Sequence, residues 1–188
     1  MHLTRIYTRV GDDGTTALGD MSRVPKTDVR VAAYADCDET NAAVGMALAL
    51  GTLRDPIAAV LAHVQNDLFD VGADLCNPVV PDPAYPPLRI TPEYVTRLER
   101  WCDEFNADLP KLDSFILPGG TPAGALLHHA RTVARRAERR AWALYDGDRE
   151  RTNREAIRYL NRLSDLLFIL ARAANPDGDV KWRPGGDR

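Results

Sequence analysis

The feature that most limits the fold of this chain is a stretch of 53 residues, Ala123 to Asn175, that contains no proline. The stretch is rich in Ala, Arg and Leu, residues that are favourable inside α-helices. Its one strong break is the polar sequence around Asp146–Asp148. We therefore expect two long helices, one starting near Thr121 and the other running from Thr152 to about Asn175.

Proline also marks the remainder of the chain. Five of the 13 prolines lie between Pro78 and Pro87, which predicts a loop there. Apolar residues at three- and four-residue spacing, or a capping Thr91 before a proline, predict three further helices: Val31–Leu50, Leu53–Leu75 and Pro92 to about Ala107. Five helices with short connections and little sheet predict an all-α antiparallel bundle, one domain over residues 1–188.

Charge and composition exclude several classes of function. The 24 basic and 27 acidic residues give a formal net charge of −3, which argues against general binding to nucleic acid or to a membrane surface. No apolar run approaches the ~20 residues of a membrane span. Three cysteines without a CxxC pair, and an N-terminus without a signal-peptide core, predict a cytoplasmic protein with reduced thiols. The four histidines lack zinc-like spacing, so we expect no metal site built from the chain alone.

Arginine is unevenly distributed. Eleven of the 21 arginines lie between Arg131 and Arg172, where only six acids occur, so this segment carries a charge of +5. Projection of the fourth helix at 100° per residue places a polar group directly beside its apolar stripe: His128, Arg131, Arg135, Glu138 and Arg139. We call Arg131, Arg135 and Arg139 the arginine ladder. Stacked guanidinium groups at a core edge suit phosphate or carboxylate recognition, but an interhelical salt-bridge seam explains the spacing equally well.

The last helix is apolar nearly all round, so it is expected at the centre of the bundle. Asn161, Asp165 and Phe168 share one of its faces. A buried Asn or Asp without partners costs roughly 1–3 kcal/mol, so a ligand, the arginine ladder or an internal polar network should satisfy them.

Two other segments carry special chemistry. In Tyr7–Asp20 (YTRVGDDGTTALGD), two glycines are followed by two threonines, which suits a loop that approaches an anion closely, or a plain β-turn. The segment lacks the motifs of a P-loop or a dinucleotide fold. In Phe115–Gly120 (FILPGG), an aromatic and two aliphatic residues precede a turn, either as a pocket wall or as a simple connection. After Asn175, the composition predicts a mobile tail over residues 176–188.

Five segments in this order resemble the PduO-type ATP:cob(I)alamin adenosyltransferases. The resemblance runs from Ile6 to about Ala174 and is carried by YTRVGDDGTT, RVAAYADCDETNAAVG, FILPGGT, ARTVARRAERR and YLNRLSDLLFILAR. The second segment departs from the family's AYGxVDELN pattern at Ala35, Cys37 and Thr40. It retains the family's polar residues Asp38, Glu39 and Asn41.

The resemblance implies a homotrimer of five-helix bundles that binds ATP between subunits. An N-terminal loop within residues 1–25, together with Lys26, would hold the triphosphate and Mg²⁺; its contact residues would be Thr8, Arg9, Gly11, Asp12, Gly14, Thr15 and Thr16. Further nucleotide contacts would be Arg135, Glu138, Arg139 and Asn161. Asp38 would pair with Arg131 of the neighbouring subunit.

The implied reaction moves the 5′-deoxyadenosyl group of ATP onto the cobalt of cob(I)alamin and releases triphosphate, in cobalamin biosynthesis or salvage. The cobalt is itself the nucleophile, so positioning and electrostatic stabilisation are the protein's contribution. Arg135, Asp38 and Arg131 would act in this way, while Phe115 would exclude the lower axial base of the corrinoid and Phe168 would line the same pocket. A cobalamin reductase and an adenosylcobalamin-dependent enzyme are implied partners.

Two alternatives use the same arginines. A non-catalytic helical module could bind a nucleotide or a partner protein through them, although it would not need the apolar FILPGG segment. RNA binding by the arginine helices is disfavoured because the rest of the chain carries a charge of −8.

Overall fold

The proline-free stretch folds into two long helices in the computed structural model, which describes residues 6–83 and 85–185. Five α-helices make up most of that structure: α1 Val29–Leu50, α2 Asp55–Cys76, α3 Pro92–Asn106, α4 Pro122–Gly147 and α5 Arg154–Ala173. A short 3₁₀ helix, Arg149–Arg151, fills the predicted break between α4 and α5. The predictions of five helices, a helical bundle and a proline-rich loop are confirmed.

Polar residues fix the starts of the helices. The Asp28 side chain caps α1 and the Asn153 side chain caps α5, and the Thr121 hydroxyl accepts a hydrogen bond from Gly124 N at 3.0 Å at the start of α4. Thr91 occupies the predicted N-cap position of α3, but its side chain makes no capping hydrogen bond there.

Helix α5 lies in the middle of the bundle and packs against α4, α3 and α2, while α1 packs against α4 and α2. All but one of its predicted apolar core residues are fully buried; Ile169 is half-buried. The buried set is Ile157, Leu160, Leu163, Leu166, Leu167 and Leu170. The expected central position of α5 is therefore confirmed.

The expectation that Asn161 and Asp165 would be buried is wrong, because both are exposed. Three neighbouring helices cover α5 on its apolar sides and leave one strip open to solvent. On that strip Asn161 Nδ2 donates to Glu138 Oε1 at 3.0 Å, and Asp165 pairs with Arg162. The apolar pattern of a helix does not show which of its faces the neighbouring helices leave exposed to solvent. The packing of those helices determines it.

A small antiparallel hairpin precedes the bundle. Strand β1 (Thr15–Ala17) pairs with β2 (Arg23–Pro25), with Thr16 opposite Val24. Gly19 N donates to Cys76 O at 3.1 Å and ties the hairpin to the end of α2. The hairpin therefore lies at the end of the bundle where α2 terminates.

The PGGT sequence before α4 is shaped by Asn175. The Asn175 amide oxygen accepts from Thr121 N at 2.9 Å, and its amide nitrogen donates to Gly119 O at 3.1 Å. Gly120 has a φ of +95°, a conformation that other residues rarely adopt. A β-carbon on Gly124 would lie 2.3 Å from the Asn175 amide oxygen. Close packing against Asn175 therefore requires glycine at both positions.

Replacing Gly124 by alanine should destabilise the fold despite the higher helix propensity of alanine. The added methyl group displaces Asn175 and breaks its hydrogen bonds, so we expect a loss of about 1–2 kcal/mol in the free energy of unfolding. Gly72→Ala in α2 is the matched control, because a β-carbon there meets no atom within 4 Å. It should stabilise by up to about 1 kcal/mol. Urea denaturation measures both, and equal stability of the two variants would contradict this account of Gly124.

The described part of the C-terminal tail is held at several points, although its composition predicted mobility from residue 176. Asp179 pairs with the buried Arg172 at 2.7 Å. Val180 O accepts from Leu117 N at 2.8 Å, and Trp182 N donates to Phe115 O at 2.8 Å. Composition gives no sign of these long-range partners. Residues 1–5 of the predicted N-terminal loop and residues 186–188 of the tail lie outside the described residues.

Among the described residues, no helix combines the length and apolarity needed to cross a membrane.

Candidate active site

A cavity of about 780 Å³ opens between the FILPGG segment, the start of α4 and the end of α5. Its lining includes Phe115, His128, Arg131, Phe168 and Trp182. Three of the predicted site residues, Phe115, Arg131 and Phe168, thus come together from three separate segments of the sequence. We call this space the aromatic cavity.

Aromatic side chains form two sides of the aromatic cavity. The Phe115 ring is 80% exposed and meets Trp182 edge to face, with ring centroids 6.2 Å apart. Phe168 meets His128 in the same manner at 5.9 Å. Neither Trp182 nor His128 is among the site residues that the sequence predicts. The helical projection, which places His128 beside the arginine ladder, could have indicated a role for His128. Trp182 reaches the cavity only through the backbone pairing of the tail, which the sequence does not reveal.

His128 is a buried histidine with unusual surroundings. It is 2% exposed, and neither ring nitrogen has a hydrogen-bond partner among the described residues. Burial, followed by the positive charge of Arg131, lowers the pKa of His128. The imidazole is therefore neutral at physiological pH.

The arginine ladder has few anionic neighbours within the subunit. In residues 6–83 and 85–185, no carboxylate lies within 4.0 Å of a guanidinium nitrogen of Arg131, Arg135 or Arg139. Nε of Arg131 is buried and makes no hydrogen bond to a described residue. Burial and the nearby charge of Arg135 lower the pKa of Arg131. The ladder is thus a cationic strip that no carboxylate of the described residues neutralises.

The alternative interpretation, a salt-bridge seam, applies to the neighbouring arginines of α4. Arg136 pairs with Glu39 and lies 3.7 Å from Asp36, and Arg140 lies 3.8 Å from Asp36. These pairs join α4 to α1. The structure therefore separates two arginine faces on α4, one for the seam and one for the ladder.

The N-terminal loop is pre-shaped by its own hydrogen bonds. The Asp13 carboxylate accepts from Thr15 N at 3.0 Å and from the Thr15 hydroxyl at 2.8 Å; these bonds lower the pKa of Asp13. Lys26 lies over Gly11, where a β-carbon would be 3.2 Å from the ammonium nitrogen. Gly14 and Arg9 have positive φ angles of 82° and 62°. Of the other predicted contact residues, Thr8 and Asp12 lie in the same loop, and Thr16 lies in strand β1 directly after it.

The loop and the aromatic cavity lie at different ends of the helical bundle. Asp20, in the β-turn of the hairpin, lies 3.8 Å from Arg151, just beyond the end of α4. The cavity contacts α4 at His128 and Arg131. The end of α4 near the hairpin and the cavity contacts at His128 and Arg131 are separated by about 17 residues of helix, roughly 25 Å. For residues 8–25 of the loop, no hydrogen bond or ion pair to the ladder is present among the described residues. The chain by itself therefore brings together the aromatic cavity and the ladder, but not this part of the loop.

A second, smaller groove of about 220 Å³ lies on the open strip of α5. Its lining includes two predicted nucleotide contacts, Glu138 and Asn161, together with the half-buried Trp142 and the fully buried Ile157. We call this space the α5 groove. Its position beside the ladder extends the candidate site along α4.

The three residues that depart from the family's AYGxVDELN pattern, Ala35, Cys37 and Thr40, all lie in α1. Cys37 is fully buried, and burial raises the pKa of its thiol to about 12. Thr40 is buried and its hydroxyl donates to Asp36 O at 2.8 Å. Ala35 and the neighbouring Asp38 are exposed. The packing of α1 therefore tolerates the departures, and Asp38 remains free to meet another molecule.

No group of three or more His, Cys, Asp or Glu side chains in the described ranges is arranged to hold a metal ion. Mg²⁺ often binds through only one or two carboxylates and takes its remaining ligands from substrate phosphates and water. Asp12 and Asp13 are exposed loop carboxylates of that kind. The residues present therefore fit a magnesium ion that arrives with a nucleotide.

Comparison with known proteins assigns the chain to a family. The family model for cobalamin adenosyltransferases matches residues 6–174. This chain belongs to the cobalamin adenosyltransferase family. The corrinoid adenosyltransferase of Mycobacterium tuberculosis is 66% identical over 188 residues, covering 100% of this chain and 97% of that protein. That of Bacillus subtilis is 41% identical over 184 residues, covering 95% and 92%.

Solved structures of the family have the same fold. A Phe-to-Ala variant of the PduO-type ATP:corrinoid adenosyltransferase from Lactobacillus reuteri, complexed with cobalamin and ATP, has a TM-score of 0.88 and 35% identity. The match covers 95% of this chain and 99% of that chain. An Arg-to-Lys variant of that enzyme, complexed with ATP, has a TM-score of 0.85 and 34% identity, with coverage of 95% and 100%. The family resemblance read from the sequence is confirmed.

Proposed function

We propose that this protein transfers the 5′-deoxyadenosyl group of ATP to the cobalt of cob(I)alamin, in the biosynthesis or salvage of adenosylcobalamin. The cobalt(I) electron pair forms a bond to C5′ of ATP as the C5′–O bond breaks, and the bonding electrons leave with triphosphate. Cobalt is thereby oxidised to cobalt(III) in the alkyl product. The observation that carries the proposal is the aromatic cavity directly beside the unneutralised arginine ladder.

The arginine ladder stabilises the leaving triphosphate. Negative charge grows on the departing oxygen in the transition state, and fixed cations near that oxygen lower the barrier. Arg135 and Arg139 are exposed on the side of α4 away from the α1 seam, so they are available to a polyanion. Arg131 links the ladder to the aromatic cavity, because it also lines that cavity.

Phe115 and Phe168 prepare the corrinoid. Cob(II)alamin is hard to reduce while its lower axial base is bound, and an apolar wall on that face leaves no polar group to replace the base. Phe115 projects from a short segment that the tail pairing holds in place. Removal of an axial ligand is one of the few ways in which a protein changes the potential of a bound metal.

A homotrimer would complete the site by bringing the N-terminal loop of one subunit to the arginine ladder of its neighbour. Support comes from the separation of loop and ladder within one subunit, and from the buried Arg131 Nε that no described residue of its own subunit satisfies. Asp38 is exposed and pairs with no described residue within 4.0 Å. It would provide the carboxylate that meets Arg131 across the interface.

Asp38→Ala should weaken the trimer. Loss of one partner of a desolvated ion pair leaves an uncompensated charge and costs about 3–5 kcal/mol, so we expect dissociation at concentrations where the unsubstituted protein stays assembled. Sedimentation velocity measures this directly. Glu39→Ala is the matched control, because Glu39 pairs with Arg136 of its own subunit. The double variant Asp38→Arg with Arg131→Asp should recover part of the assembly. Equal sedimentation of Asp38→Ala and the unsubstituted protein would contradict the pairing.

The loop would hold the triphosphate with Lys26 and a magnesium ion. Thr8, Thr16 and the backbone N–H groups around Gly11 and Gly14 offer donors to phosphate oxygens. Lys26 adds a cation above Gly11. Magnesium, when bound, neutralises part of the triphosphate charge.

An anaerobic assay with ATP and chemically reduced cobalamin tests the function. Stoichiometric formation of adenosylcobalamin and triphosphate is the expected result. Formation of neither product, with ATP still bound, would favour the non-catalytic nucleotide-binding module.

The protein would act in the cytoplasm beside a cobalamin reductase and an enzyme that uses adenosylcobalamin. The reaction needs cob(I)alamin, so a one-electron reductant of cob(II)alamin must precede it. The three described cysteines are free thiols, which suits a reducing compartment.

A further inference from the structure

We propose that Trp142 is the stacking platform for the adenine base of ATP, an inference that rests on the proposed function and extends its site. Trp142 is a wall of the α5 groove, which also contains Glu138 and Asn161 at its edge. Those two residues have been assigned to the nucleotide, whereas Trp142 has no assigned role. The groove thus joins an aromatic surface to a polar edge.

The order of the groups along α4 matches the order of the parts of a nucleotide. The aromatic cavity meets α4 at His128 and Arg131, and Glu138 follows about 10–15 Å farther along the helix. Trp142 lies one turn, about 6 Å, beyond Glu138. C5′ of ATP must face the corrinoid in the aromatic cavity, and the base is attached to the other side of the ribose. The base therefore belongs at the Trp142 end.

The polar edge of the groove fits a ribose. Asn161 Nδ2 donates to Glu138 Oε1 at 3.0 Å. Within the described chain, the second carboxylate oxygen of Glu138 and the amide oxygen of Asn161 accept no hydrogen bond. Two free acceptors side by side complement the two ribose hydroxyls, which are donors.

The charges around the groove favour the arginine ladder over the groove as the phosphate site. Arg158 lies 2.9 Å from Glu155, and Arg162 lies 3.1 Å from Glu99. Both guanidinium groups are therefore neutralised by carboxylates. Arg154, which lies over the Trp142 ring, has no carboxylate within 4.0 Å among the described residues, but it is a single cation. The arginine ladder offers three such cations, so the triphosphate binds at the ladder and leaves the groove to the base.

The Trp142 indole is held in a fixed orientation. Tyr145 meets it edge to face with ring centroids 5.7 Å apart. The Arg154 guanidinium carbon lies 5.9 Å from the indole centroid. A partly exposed indole held by its neighbours offers the kind of aromatic surface on which a purine ring stacks.

Two measurements test the proposal, and one of them needs no turnover. The chain has three tryptophans, so a Trp101→Phe, Trp182→Phe variant reports on Trp142 alone. ATP should quench its fluorescence, and inorganic tripolyphosphate should not. Absence of quenching by ATP at concentrations that saturate ATP binding, as measured by equilibrium dialysis, would overturn the proposal. This arm is independent of adenosyl transfer, so failure of the proposed function would be seen separately, as absence of adenosylcobalamin.

The second measurement separates the base from the phosphates. Trp142→Ala should raise KM for ATP about ten- to hundredfold, from the usual strength of base–aromatic stacking. Inhibition by tripolyphosphate should be unchanged, and Trp142→Phe should restore most of the affinity. Trp101→Ala, on α3 and outside the groove, is the matched control and should keep the KM of the unsubstituted protein. Circular dichroism establishes that each variant is folded. Equal weakening of ATP and tripolyphosphate by Trp142→Ala would show that Trp142 has only a packing role.

Discussion

Arg135→Ala is expected to reduce kcat/KM for adenosyl transfer by about 10²–10³-fold while the protein stays folded. Removal of one group that stabilises developing negative charge typically costs that much. Arg135 is exposed, and it forms no ion pair with a described residue. Its removal therefore leaves no buried charge behind, and the free energy of unfolding should change by less than about 0.5 kcal/mol.

The next residue of α4 provides the matched control for Arg135. Arg136→Ala removes the same charge from the same helix turn, but Arg136 belongs to the seam with Glu39 and Asp36 of α1. Arg136 is 40% and Asp36 only 18% exposed, so the loss of these partly buried pairs should cost about 1–2 kcal/mol of stability. The kcat/KM should stay within a few-fold of the unsubstituted protein. Single-turnover kinetics with ATP and reduced cobalamin compares the two variants. Equal loss of activity in both would show that total charge, and not the position of the ladder, is what matters.

Phe115→Ala should affect the two forms of the corrinoid substrate very differently. With cob(II)alamin and an external reductant we expect a rate loss at least about tenfold larger than with pre-formed cob(I)alamin, because a shift of only about 59 mV in a one-electron potential changes the equilibrium tenfold. The Phe115 ring is 80% exposed, so its removal should leave the fold intact. The absorption spectrum of cob(II)alamin bound with ATP should then show the lower base restored.

Leu117→Ala is the control for the Phe115 variant. Leu117 lies two residues farther along the same segment and outside the lining of the aromatic cavity. Its backbone N–H, which bonds to Val180 O at 2.8 Å, is unaffected by the substitution. An equal loss with both corrinoid forms in Phe115→Ala would show that Phe115 only binds the substrate and does not exclude its axial base.

The helices were predictable because their signals are local. Proline positions, apolar spacing and the Thr121 cap fix where α4 begins, and the break near Asp146–Asp148 fixes where it ends. The candidate residues on α4 followed from the same periodicity. The aromatic cavity was predictable only as a resemblance, because Phe115 and Phe168 are more than 50 residues apart and only the packing of α4 and α5 brings them together.

Three features could not be predicted from such local signals in the sequence. Asn161 and Asp165 looked buried because α5 is apolar nearly all round, yet the arrangement of its neighbours leaves their strip open. The tail looked mobile because its partners, Phe115 and Leu117, lie far away in the chain. Trp142 has no motif of its own, and it became a candidate only when the α5 groove placed it beside Glu138.

The five helices, the family and the residues of the arginine ladder can all be predicted from the sequence, because periodicity, capping residues and motif order are properties of the chain alone. Only the packing of the helices separates the arginines of α4 into those that pair with carboxylates and those that do not. Arg136 and Arg140 face the carboxylates of α1, and Arg131, Arg135 and Arg139 do not. Spacing along a helix fixes the angle between side chains, but the electrostatic role of each depends on what the neighbouring helix places opposite it.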